Sequence, residues 1–290
     1  MRRCALVFML TLWAVFQSAA QSAERPEQVM KALSQAYPGR VSQAVRRNGD
    51  WAVQVYGQWF YYAQGRLLPE ALRTKAEEYD GQPFYNYSTG MPVWKEPTAE
   101  QNERFRNMSQ RRHDNPPKRS QHFYDALWRA STRDESYRRQ KSIHFLGHTI
   151  MAHYTILEEL ALVEERLQTE AQTNAQVRTW VANLKSASAW SWRSIADTES
   201  RSFHAYGAAI DLQVANPQGL ETYWLWTQAK NPNWWAVPYS KRLHPPAAVI
   251  KAFEDYGFIW GGKWPLYDTM HFEYRPEILI LNGMKITPSI

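Results

Sequence analysis

Three residues, from two separate places in the chain, have the types and spacing to hold a metal. In the stretch RSFHAYGAAIDLQV, residues 201–214, His204 stands seven positions before Asp211, with Gly207 between them. A turn at Gly207 folds the histidine back, a strand over Ala208–Val214 presents Asp211 on one face, and alternation puts the small Ala209 on that same face, leaving room beside an ion. Further on, YDTMHFEYRP sets His271 in a second strand-like run, with Glu273 on its face and Asp268 in the turn that leads in. Two imidazoles and one carboxylate suit Zn2+, which takes borderline nitrogen and oxygen donors and keeps one position for water where it is catalytic. Zinc lowers the pKa of that water to about 7, and a carboxylate that is not a ligand, Asp268, can take its proton. Taken singly, each segment also has a plainer explanation: satisfied structural histidines, and an aspartate that caps a turn. Together they point to a metal.

These residues resemble the zinc D-alanyl-D-alanine carboxypeptidases and L-alanyl-D-glutamate endopeptidases that cut peptidoglycan peptides. The pattern S-x-H-x-x-G-x-A-x-D is met by Ser202, His204, Gly207, Ala209 and Asp211, and the distal acid-x-x-H by Asp268 and His271. The resemblance spans roughly residues 185–277. It implies zinc ligands at His204, Asp211 and His271 and a general base at Asp268. Through WSWRSIADTESRS it implies that Arg193 binds substrate and steadies the oxyanion; a fixed guanidinium near the new charge would do so, and a surface arginine is the alternative. The segment DTMHFE resembles the endopeptidase branch, as does FIWGGKW, whose Trp260 and Trp264 would wall a peptide groove or pack in the core. The resemblance also extends to hedgehog-type signalling domains, where the metal serves binding, so a wall-binding protein without hydrolysis is the rival class. The presence of Asp268 and Arg193 favours the enzyme.

Other elements must position these residues. ERPEQVMKALSQAYP has helical spacing, and Trp51–Tyr56 with Trp59–Ala63 predict a hairpin around Gly57. Its aromatic residues, Trp51, Trp59, Phe60, Tyr61 and Tyr62, either stack on sugars or pack on a neighbour. Residues 65–120 read as a polar surface loop or linker. From Phe123 to Leu184 the pattern is helical, with SIHFLGHTIMAHYTILEELALVEERLQTEAQ the strongest helix and another over 174–184. That long helix carries His144, His148 and His153; Phe145 stands where HExxH needs a glutamate, so a face packed on a sheet is preferred to a zinc pair. Short β runs follow at Trp190–Arg193, Ala208–Val214, Tyr223–Trp226 and His271–Tyr274, with a helix near Pro246–Tyr256. The expected fold class is α+β, a small antiparallel sheet with flanking helices around a zinc site, plus an N-terminal helix and β-hairpin extension. The expected division is a leader at 1–23, an extension at 24–120 and a zinc peptidase domain at 121–290.

With 290 residues and 44% hydrophobic composition the chain can bury a sizeable core. MRRCALVFMLTLWAVFQSAAQSA has a basic start, an apolar run and then small residues, the pattern of a signal peptide. An exported protein, periplasmic or secreted and not stably inserted in a membrane after cleavage, is expected; an uncleaved anchor is the alternative. Cys4, the only cysteine, would leave with the leader, so no disulfide is expected. The net charge of +6, of which Arg2 and Arg3 supply two, is too mild to argue for nucleic acid. Anionic cell-wall polymers, peptidoglycan or muropeptides, are the expected partner. No G-x-S-x-G occurs, which argues against a serine hydrolase.

Overall fold

The computed structural model describes residues 25–287; the expected leader and Cys4 lie outside the described residues. A helix (α1) runs over 25–36 and buries Val29, Met30, Leu33 and Ala36, one apolar stripe at helical spacing. Four strands follow as an antiparallel meander: β1 (Val45–Arg47), β2 (Asp50–Val55), β3 (Gln58–Ala63) and β4 (Arg66–Pro69). Phe60 and Tyr61 of β3 are fully buried, and Phe60 meets Phe123 edge-on at 5.4 Å. The central aromatics of this hairpin therefore pack inward and are not free to stack on sugars.

The segment read as a polar linker carries more structure than its composition suggested. After β4 come a 3-10 helix (Glu70–Glu78) and a long helix, α2 (Ala99–Asp114), which starts with a reciprocal capping box between Thr98 and Gln101. Most of α2 faces solvent; Phe105 and Met108 pack on a cluster of Trp224, Trp234, Trp235 and Tyr267. Two large apolar residues in sixteen give too narrow a stripe to stand out in a polar sequence.

After α3 (His122–Trp128) and α4 (Arg133–Arg138), the expected long helix is two different things. Its first part is a hairpin, β5 (Gln140–Phe145) and β6 (His148–His153), and only its second part is a helix, α5 (Leu157–Thr173). Ile143, Leu146, Ile150 and His153 happen to fall at helical spacing, which made the hairpin look helical. Leu146 and Gly147 have φ of +47° and +81°, a two-residue turn whose twist suits a hairpin and which no helix accommodates.

Next come α6 (Ala175–Ala182), β7 (Leu184–Ser188), β8 (Ala209–Val214), α7 (Trp224–Gln228), α8 (Ala247–Asp255), β9 (Phe258–Trp260), β10 (His271–Tyr274) and α9 (Pro276–Leu281). Trp190–Arg193 is not a strand; the strand lies earlier, at β7, and the Trp190 indole N–H turns aside to Ser136 Oγ at 2.9 Å. Tyr223–Trp226 opens α7 rather than forming a strand, because Trp224 is drawn into the aromatic cluster under α2. Three strands joined to β7 make an antiparallel sheet in the order β7-β8-β10-β9. Phe253 of α8 stacks on Phe272 of β10 with ring centres 4.0 Å apart, and one apolar core runs from α1 through α5 to this sheet. The chain is thus α+β, with small antiparallel sheets and helices. Among the described residues no helix is long and apolar enough to cross a membrane.

Candidate metal centre

Strand register brings the two distant segments together. In the β8–β10 pair His271 lies opposite Asp211 and Glu273 opposite Ala209, so all four share one face. His204 arrives by another route, on a 3-10 turn (Phe203–Tyr206) whose start is capped by Ser202, its Oγ accepting from the His204 N–H at 3.3 Å. Gly207 closes that turn with φ +70°. A Cβ there would stand 1.9 Å from Gln140 Oε1 and 2.9 Å from the His153 nitrogen, so glycine is needed for space as well as for the sign of φ. The wall it meets is the β5–β6 hairpin, whose His153 N–H donates to the Gly207 carbonyl at 2.9 Å.

His204 Nε2, His271 Nδ1 and Asp211 Oδ1 form a nearly regular triangle. The separations are 3.1 Å between the imidazoles, 3.1 Å from His204 to Asp211 and 3.0 Å from His271 to Asp211. Zinc bonds of about 2.0–2.2 Å in a tetrahedron put neighbouring donors roughly 3.3–3.5 Å apart. The triangle is one such face, slightly contracted, and the donor set of two nitrogens and a carboxylate oxygen fits a catalytic zinc. Among the described residues it is the one group of at least three potential ligating side chains whose donor atoms all lie within 4.8 Å of one another. Both rings are oriented from behind: His204 Nδ1 hydrogen-bonds the Ala189 carbonyl, and His271 Nε2 pairs with Glu273 Oε2 at 3.1 Å.

The charges around the centre are strongly coupled. Burial alone would depress the His271 pKa, but Asp211 and Glu273 hydrogen-bond the ring and raise it to about 10. Burial likewise favours a protonated Asp211, yet the two imidazoles hold its carboxyl well below the usual range. Asp268 has no such partner at its side chain except the Met270 N–H at 3.2 Å, and burial pushes its carboxyl up to about 6.

Glu273 belongs to a buried chain that position-by-position reading of the sequence did not anticipate. Its second oxygen accepts from Arg275 Nη1 at 3.2 Å, and Arg275 Nε donates to Glu277. Glu277 in turn accepts from Tyr37 at 2.7 Å and from Tyr124 at 3.2 Å. The signal was present in HFEYRPE: His271 and Glu273 share one face of β10, and Arg275 and Glu277 continue the every-second-position spacing into the cap and first turn of α9.

Beside the triangle lies a cavity of about 250 Å3 lined by Asp268, His271, Trp264 and Arg193. Arg193 is held through its backbone, its carbonyl accepting from the Ser202 N–H at 3.1 Å, while its side chain is exposed. Trp264 faces His271 with ring centres 5.3 Å apart. Trp260 does not reach the cavity; it is fully buried and its indole donates to the Thr269 carbonyl at 2.9 Å. His144, His148 and His153 sit on the hairpin, not on a helix. His153 is a satisfied structural residue, bonded to the Trp128 carbonyl at 3.0 Å and kept neutral by burial, which lowers its pKa to about 4.

No curated protein and no solved structure matches this chain. Residues 29–84 match a family model described as a domain of unknown function. Residues 196–274 match a family model described as D-alanyl-D-alanine carboxypeptidase, a stretch that holds His204, Asp211, Asp268 and His271 and begins just after Arg193. That match supports a hydrolase of the peptidase class at this centre.

Proposed function

We propose that the protein is an exported zinc-dependent peptidase that hydrolyses peptidoglycan stem peptides between L-Ala and D-Glu. The observation that carries the reading is the triangle of His204 Nε2, His271 Nδ1 and Asp211 Oδ1 opening beside a cavity that also contains Asp268. His204, Asp211 and His271 would hold the ion, which would supply Lewis acidity and lower the pKa of a bound water to about 7. Asp268, with a carboxyl raised to about 6, accepts the proton of the attacking water and returns it to the leaving amine. Arg193 brings a positive charge to the cavity, where the carbonyl oxygen becomes negative as the tetrahedral centre forms. Trp264 offers a flat apolar wall to the peptide beside His271.

The aspartate of DTMHFE favours the L-alanyl-D-glutamate bond, whereas the description of the matched family model favours removal of a terminal D-Ala. Mass spectrometry of muropeptides separates the two after incubation with the mature protein, with the Asp268→Ala variant and with a chelated sample. A cut between L-Ala and D-Glu that both controls abolish supports the endopeptidase. Release of D-Ala alone moves the assignment to a carboxypeptidase, and no product from zinc-loaded protein leaves a wall-binding protein.

A further inference from the structure

The cavity beside the metal centre has a second wall, built from chain outside the matched peptidase stretch. Arg112, in the last turn of α2, and Arg119, a few residues on, both line it together with Tyr85. Among the described residues the other arginines deep in this wall are paired, Arg201 with Asp125 and Arg275 with Glu273 and Glu277. Arg112 and Arg119 take part in no such ion pair. Nine buried side-chain polar atoms among the described residues lack a close hydrogen-bond partner, and four of them belong to this lining: Arg112 Nε and Arg119 Nε, with Tyr85 Oη and Trp264 Nε1, which lie toward one another. Both guanidinium Nε–H groups are free to donate. A cavity with spare donors and two half-buried guanidinium groups is complementary to an acceptor-rich anion.

We propose that Arg112 and Arg119 form a subsite for a carboxylate of the substrate, so that the N-terminal segment completes recognition at the metal centre. Both residues are held in place before any ligand arrives. Phe105 and Met108 fix α2 on the tryptophan cluster, and Asn102 Oδ1 accepts from the Trp235 indole at 2.7 Å. Arg112 Nη2 donates to the Ala196 carbonyl at 2.9 Å, while the Arg119 N–H donates to Ser200 Oγ at 3.2 Å. Burial disfavours the charge on each arginine, and on Arg119 the charges of Arg112 and Arg275 add to that effect, with Asp197 near Arg112 and Asp80 near Arg119 offsetting part of it. Two desolvated like charges are a standing cost to the fold that an incoming carboxylate removes, and a guanidinium fork matches a carboxylate in two hydrogen bonds. The ligand class is therefore an acidic peptide, an inference that rests on the peptidase reading. The carboxylate is either the one beside the D-Glu linkage or the free C-terminus.

Binding to the zinc-loaded Asp268→Asn protein tests this without requiring turnover. Titration calorimetry would compare a stem tripeptide carrying free carboxylates with two analogues, one amidated at D-Glu and one amidated at the C-terminus. We expect one amide to bind at least about tenfold more weakly than the acid, which names the carboxylate. Arg112→Gln and Arg119→Gln, added singly, should abolish that discrimination, and Arg119→Lys should keep part of it. The melting temperature of Arg119→Gln should hold or rise, since a charge facing Arg112 is gone; a structural arginine would give a fall. Equal affinity for acid and both amides, or discrimination that survives both glutamine variants, overturns the subsite. If a glutamine variant fails to fold, the acid-against-amide comparison in the parent protein and Arg119→Lys decide alone. Discrimination in a protein that cleaves nothing would sink the peptidase reading and leave the subsite standing, whereas cleavage of acid and amides with the same KM would do the reverse.

Discussion

At the scale of single residues, the His271 proton is what a metal must displace. Asp211 and Glu273 hold the ring pKa near 10, so the metal-free site carries that proton at neutral pH. Raising the pH removes the competitor, and Zn2+ affinity should climb by about tenfold per pH unit across the neutral range. Competition with a chromophoric chelator at several pH values would show it; a flat profile would contradict the coupling. Asp268 sets the opposite boundary. A base must be ionised, so kcat/KM should fall as pH drops through the Asp268 pKa, at or below about 6 because a bound dication favours the ionised form. Asp268→Asn should remove that acid limb and slow hydrolysis by about 10^2–10^4-fold. The candidate ligands His204, Asp211 and His271 were legible because their spacing is set by local turns and by a strand period of two. Arg112 and Arg119 were not, because in RRHDNPPKRS nothing distinguishes an arginine that faces a cavity from one that faces water.

Among the elements, the β5–β6 hairpin is the support on which the first half of the centre rests. Gly207 lies against Gln140 and His153, so Gly207→Ala must pay for a positive φ and for a clash together. About 2–4 kcal/mol of lost stability is expected, with weakened metal binding, as read by denaturant unfolding and metal titration. Unchanged stability would mean that the turn relaxes without the hairpin. This same hairpin resembles a helix in its sequence, because its apolar residues satisfy a period of 3.6 by coincidence, and the positive φ adopted at Leu146 and Gly147 is what separates the two conformations. The strands β8 and β10 were legible because each carries a motif residue on a face that alternation fixes. The strand β9 was not, being three buried residues with no alternation to reveal it.

Across the whole molecule, the metal centre is tied to the beginning of the described chain. Tyr37, just beyond α1, donates to Glu277, and from there Arg275 and Glu273 lead to His271. Glu273→Gln should lower zinc affinity by about 10–100-fold, as loss of a partner behind a ligating histidine does. Tyr37→Phe should cost about 1–3 kcal/mol of stability, because it leaves buried Glu277 short of a donor. Its effect on zinc affinity should be smaller than that of Glu273→Gln; an equal or larger loss would show that the chain transmits more than orientation. None of this long-range wiring could be read from local pattern, since Tyr37 and Glu277 are 240 positions apart.

That separation also bears on when the molecule becomes able to act. The strand β10 and the helix α9 stand at the far end of the described chain, and the charge of Glu277 is satisfied there by Tyr37 and Tyr124 from its first half. The triangle of His204, Asp211 and His271 is complete only when the two ends of the described chain have met. A chain cut short before β10 therefore lacks the triangle altogether, because His271 lies in that strand.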